Sequence, residues 1–78
     1  MALREIVARN LRRLRRSKGL SQEELADRAG INRNYVGMLE REENSATVDM
    51  LENLAHVLNV DPIEFFRRSA REANNAKR

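Results

Sequence analysis

The chain contains no cysteine, one histidine, one proline and three glycines in 78 residues. Without thiols it has neither a disulfide framework nor a thiolate metal site, in keeping with a reducing compartment. His56 has no second imidazole to join and falls off the apolar stripe of its helix, so an exposed, inert position is expected, with no metal and no cofactor. Apolar runs fall short of the roughly 18 residues a membrane span requires, and the N-terminus lacks the long apolar stretch of a signal peptide. A soluble cytoplasmic protein is expected, with no membrane partner. Strand-type alternation and internal repeats are absent. So are a nucleophile motif, a phosphate-binding glycine loop and an enclosed carboxylate pair, which argues against an enzyme.

What is present is charge, unevenly placed. The net charge is +3. Residues 1–18 carry Arg4, Arg9, Arg12, Arg13, Arg15, Arg16 and Lys18 against Glu5 alone, and residues 67–78 are basic again. The middle, 19–66, sets Arg28, Arg33 and Arg41 against ten acids. Such polarisation fits an anionic partner such as nucleic acid, or the plain solvent coating of helix faces. The length suits one domain with a small core, for which oligomerisation would add stability. The expected domain covers 1–69, with 70–78 a polar, disordered tail.

Helical periodicity runs throughout. Leu3, Ile6, Val7, Leu11 and Leu14 form one stripe that stops at Gly19. Ser21 and Glu24 form a capping box that opens a second helix, buried through Leu25, Ala26 and Ala29 and ended by Gly30. Asn32 caps a third, with Val36 and Leu39 inward and Asn34, Met38 and Arg41 on the opposite side. Thr47 caps a fourth with the stripe Val48, Leu51, Leu54, Ala55, Leu58. Asp61-Pro62-Ile63-Glu64 reads as a second capping box, opening a fifth helix that carries Ile63, Phe65 and Phe66.

The connection between the second and third helices, Ala29-Gly30-Ile31-Asn32, is short and contains glycine, and at that length two helices meet steeply. The third then projects from the core, leading with Asn32, Arg33, Asn34 and Tyr35. A helix-turn-helix presents such a turn to the base edges in the major groove of DNA.

"GLSQEELADRAGINRNYVGMLERE" followed by "TVDMLENLAHVLNVDPIEFF" resembles the lambda-repressor/Cro-type helix-turn-helix family over residues 5–66. Asn-Arg-Asn-Tyr-Val-x-x-x-Glu-Arg is most similar to the controller proteins of restriction-modification systems. The resemblance implies an all-α, five-helix lambda-repressor-like bundle. It departs from the pattern at Glu42, where many members have glycine, and at Ala46, where many have proline; a looser turn follows, with Asn44 the expected left-handed residue.

Within that frame, Asn32, Arg33, Asn34 and Met38 are the candidate base contacts. An arginine can donate two parallel bonds to guanine, an asparagine can donate to and accept from adenine, and Met38 can touch a thymine methyl. Gln22 resembles the family glutamine that holds a phosphate, with Ser21 and the helix-terminal amides beside it; Tyr35, Arg41, Asn44 and Ser45 complete the phosphate candidates. Asn32 also serves as a cap, Tyr35 also fits packing against the second helix, and Asn44 and Ser45 also fit plain turn chemistry. The resemblance further implies that Arg15 and Glu40 pair across the first and third helices.

So small a domain makes few base contacts, so a homodimer on a two-fold operator is expected, its readers about 34 Å apart. Phe65 and Phe66 point about 100 degrees apart on a helix, so one of them is expected to face a partner subunit with Val57, Val60 or Ile63. The expected function is a dimeric DNA-binding transcriptional regulator without a small-molecule ligand, of the restriction-modification controller type. Related alternatives are a phage-type repressor and an antitoxin, and a protein-protein adaptor is the alternative of another class.

Overall fold

The computed structural model describes residues 2–68. Four α-helices follow one another, α1 (Leu3–Ser17), α2 (Gln22–Ala29), α3 (Arg33–Glu40) and α4 (Val48–Leu58), and a 3-10 turn at Pro62–Phe66 closes the described chain. Among the described residues every regular element is helical. The expected tail, 70–78, lies outside them.

Side-chain caps open three of the helices where the sequence places them. Ser21 Oγ accepts from the Glu24 amide, and the Glu24 carboxylate accepts in return from the Ser21 amide, each at 3.0 Å. Asn32 Oδ1 accepts from the Asn34 amide at 2.7 Å, and Thr47 Oγ1 from the Met50 amide at 3.0 Å. All four helices end alike. A residue two or three past each helix donates back into the last turn, Leu20 to Arg15, Ile31 to Ala26, Glu43 to Met38 and Val60 to Ala55, and the residue before it is left-handed. Those left-handed positions hold Gly19, Gly30, Glu42 and Asn59.

Glu42, at φ 64, therefore corrects the expectation for the turn after α3: the left-handed residue is Glu42 and not Asn44. The turn is also closed by hydrogen bonds and not loose, with Glu42 N donating to Leu39 O at 3.2 Å and Glu43 N to Met38 O at 2.8 Å. Position in the closing motif selects the left-handed residue, even though glutamate accepts that conformation at a cost.

The core joins all the elements. Ile6, Leu11 and Leu14 of α1 meet Leu25 and Ala26 of α2, Val36 and Leu39 of α3, and Leu51, Leu54, Ala55 and Leu58 of α4, with Leu20 and Phe65 closing it. Two stripe residues depart from expectation. Val48 is 81% exposed and Leu3 is exposed as well, each in the first turn of its helix, where both line one open surface cavity with Leu39, Leu51 and Phe66.

The expected fifth helix is a single 3-10 turn. Asp61 caps it through the Ile63 amide at 3.0 Å, so the anticipated capping box does not form. The Glu64 carboxylate instead reaches Arg67 at 2.9 Å. Asn10, buried in α1, donates through Nδ2 to the carbonyls of Phe65 at 2.9 Å and Arg67 at 2.7 Å. A longer helix would spend those carbonyls along its own axis; here they are taken by α1, and the backbone at Arg67 turns extended.

Candidate nucleic-acid interface

Three residues, Gly30, Ile31 and Asn32, separate α2 from α3, and the Ile31 amide donates to Ala26 O across the joint at 3.0 Å. Val36, Gly37, Leu39 and Glu40 are buried on α3, while Asn32, Arg33 and Asn34 are exposed at its start. Helical spacing alone divides the short helix this way, since the inward residues follow at intervals of three and four.

The base candidates occupy three different situations. Asn32 has its side-chain oxygen committed to capping, leaving its amide donors outward. Arg33 is exposed and lies 3.8 Å from Glu23 on α2, a surface pair worth little that a stronger acceptor can replace. Asn34 is exposed and Met38 half-buried.

The phosphate candidates do not form one uniform group. Gln22, in the first turn of α2, donates through Nε2 to Glu40 Oε1 at 3.1 Å, which ties its carboxamide to α3. Arg41 is exposed and donates to the Glu43 carboxylate, through Nε at 2.6 Å and Nη2 at 3.4 Å. Hydrogen bonding and charge from Arg41 hold the Glu43 carboxyl below its ordinary range. Ser21 is engaged in capping, and Tyr35 is half-buried against the core. Asn44 Oδ1 accepts from the Ser45 amide at 3.1 Å, while Ser45 Oγ accepts from Arg4 of α1 at 2.6 Å.

Beneath this surface lies a charged cluster. Arg15 donates to Glu40 through Nε at 2.6 Å and Nη2 at 3.0 Å, and through Nη1 to the Leu20 carbonyl at 2.9 Å. Glu40 is 3% and Arg15 8% exposed. Arg12 donates to the Glu40 carbonyl at 2.6 Å. Burial alone would push the Glu40 carboxyl up, but the bonds from Arg15 and Gln22, with the charges of Arg15 and Arg12, outweigh it and hold the group below its usual value. One carboxylate thereby joins α1, α2 and α3.

Of the candidate dimer residues, Val57 and Val60 are half-buried against the core, whereas Ile63 and Phe66 are exposed. Phe65 is 0% exposed, a core residue of its own chain, and leaves the interface set for that reason. His56 is exposed. Among the described residues no group of His, Cys, Asp and Glu gathers to hold a metal, and no helix is long and apolar enough to cross a membrane.

Arg12, Arg4 and Glu23 carry no site role in the sequence, yet each contacts a candidate residue: Glu40, Ser45 and Arg33 respectively. Arg12 carried a signal, standing three residues before Arg15 on the same helix face. The others depend on contacts that helix periodicity does not encode.

A family profile described as helix-turn-helix matches residues 11–65. The chain belongs to the helix-turn-helix family. Control protein C.SmaI of Serratia marcescens is 44% identical over 59 residues, covering 76% of this chain and 70% of that protein. The HTH-type transcriptional regulator y4dJ of Sinorhizobium fredii is 44% identical over 64 residues, covering 82% of this chain and 83% of its own. Among solved structures, the restriction-modification controller protein C.AhdI from Aeromonas hydrophila superposes with a TM-score of 0.78 at 40% identity, over 81% of this chain and 96% of that one. The hypothetical transcription factor NHTF from Neisseria superposes at 0.85 with 32% identity, over 95% and 85%. In this helix-turn-helix protein the motif itself is α2, the Gly30 joint and α3.

Proposed function

We propose that the protein is a DNA-binding transcriptional regulator of the restriction-modification controller type, acting without enzymatic activity in the cytoplasm. One observation carries the reading. The leading turn of α3 turns Asn32, Arg33 and Asn34 to solvent while Val36 and Leu39 of the same helix are buried. The likeness to C.SmaI and C.AhdI supports the controller assignment.

Arg33 and Asn34 read base edges in the major groove, with Asn32 and Met38 beside them. Gln22 and Arg41 hold the backbone on either side, aided by Ser21, Tyr35, Asn44 and Ser45. The functional unit is a homodimer on a two-fold operator with α3 helices about 34 Å apart, its interface formed by Val57, Val60, Ile63 and Phe66. Arg15 and Glu40 orient α3 from within. Promoter control follows from occupancy, set by protein concentration and cooperativity.

A salt titration tests the class. Binding to a duplex chosen by the protein from random DNA weakens with a log-log slope of about 0.9 per neutralised phosphate. An adaptor that docks on proteins would show no preferred duplex at any salt concentration.

A further inference from the structure

Gly37 has no backbone reason to be glycine. It lies inside α3 and is not among the positive-φ residues, and a glycine there is less favourable to the helix than alanine. What a side chain would meet at this position is specific. A Cβ at Gly37 would stand 2.9 Å from Arg41 Nη1, 3.6 Å from Arg41 Cζ and 3.6 Å from Gln22 Oε1.

The bare backbone at Gly37 is therefore a notch bordered by the Arg41 guanidinium, a donor, and by the carboxamide oxygen of Gln22, an acceptor, from different elements. Each is oriented by a carboxylate from behind. Glu43 takes Arg41 Nε and Nη2, which leaves Nη1 as the edge over the notch, and Glu40 takes Gln22 Nε2. Because Glu43 takes only Nε and Nη2, a phosphate can be met by Nη1 without breaking the exposed Arg41–Glu43 pair.

We propose that Gly37 is a positioning residue for the DNA backbone: its missing side chain lets the Arg41 guanidinium lie across α3 beside Gln22, so that Arg41 Nη1 is held toward a phosphate. The inference rests on the DNA-binding reading above. A methyl group at position 37 displaces the far end of a flexible arginine and no backbone, so the fold absorbs it. The phosphate site does not.

Stability and binding should thus move in opposite directions. The full-length chain, Gly37→Ala, Arg41→Ala and the double variant are compared by thermal unfolding and by titration against one duplex selected by the wild-type protein and one scrambled duplex, across a range of KCl. Gly37→Ala is expected to unfold at or above the wild-type temperature. It should bind both duplexes about tenfold more weakly, the loss of one charge-assisted contact, with a salt slope shallower by about 0.9. Arg41→Ala should lose a similar factor, and the double variant little more than either alone. Wild-type affinity and slope in Gly37→Ala or in Arg41→Ala overturn the proposal, as do fully additive losses, a lowered unfolding temperature in Gly37→Ala, or a loss confined to one base position. A wild-type chain that binds neither duplex removes the DNA-binding reading itself, and this inference with it.

Discussion

Glu40 Oε1 accepts from two helices at once, from Arg15 Nη2 of α1 at 3.0 Å and from Gln22 Nε2 of α2 at 3.1 Å. The carboxylate belongs to α3, so the cluster fixes the α2–α3 pair relative to α1 and aims the glutamine. A buried ion pair adds little net stability over apolar packing, but removing one partner strands the other in a medium that cannot solvate it.

Glu40→Ala should accordingly destabilise the protein by about 3–5 kcal/mol, the range for a stranded buried charge. Glu43→Ala removes a carboxylate from an exposed pair and should leave the unfolding temperature close to that of the wild type. Thermal unfolding of the two variants measures the contrast. Equal unfolding temperatures would remove the pair from the structural account.

Acid should act through the same carboxylate. Its folded-state pKa is depressed, so its stabilising contribution is fully present above the unfolded glutamate value of about 4.3 and is lost as pH falls through the folded value. Unfolding temperature followed from pH 7 downward is expected to drop in the wild type below about that pH. Glu40→Gln should start lower at neutral pH and then fall less steeply. Parallel curves would place the acid sensitivity elsewhere.

Glu42 gives a stabilising prediction. It is held at φ 64 by the closing bonds of α3, a conformation that costs a residue bearing a Cβ about 1 kcal/mol or more. Glu42→Gly should raise stability by about 1 kcal/mol, or about 4–8 °C in a domain of this size. An unchanged or lowered unfolding temperature would show that the glutamate side chain repays its backbone strain.

The local chemistry of the chain was readable where a few adjacent residues decide the outcome. Ser21 with Glu24, Gly30, Asn32 and Thr47 each mark a helix boundary through bonds within five residues, and all lie where the sequence puts them. What stayed hidden depends on distant partners. Asn10 stands on the apolar face of α1, and its bonds to carbonyls more than fifty residues away make the last element a turn in place of a helix. That same turn sends Phe65 into the core, which pairwise geometry on an assumed α-helix left open. The outward face of α3 followed from periodicity, whereas the notch at Gly37 and the tie from Gln22 to Glu40 required tertiary structure.

The two phenylalanines now separate into different experiments. Phe65→Ala should cost about 3–5 kcal/mol in folding because the cavity forms inside the monomer. Ile63→Asp alters a position that is 66% exposed and should leave folding within about 0.5 kcal/mol while converting a dimer to a monomer in sedimentation; Phe66→Asp, at a residue 39% exposed beside Leu39 and Leu51, should do the same at some cost to folding. A dimer that survives both aspartates would put the interface on another face.

The central claim, that the leading turn of α3 reads paired bases, is tested most directly by selecting bound sites from random duplex DNA with the wild-type protein, Arg33→Ala and Gln22→Ala in parallel. The wild type should recover a two-fold symmetric site. Arg33→Ala should lose its preference at one base position in each half-site, a discrimination of about 1–3 kcal/mol. Gln22→Ala should recover the same site with uniformly weaker binding. An unchanged site from Arg33→Ala, or no preferred sequence from the wild type, would contradict the account.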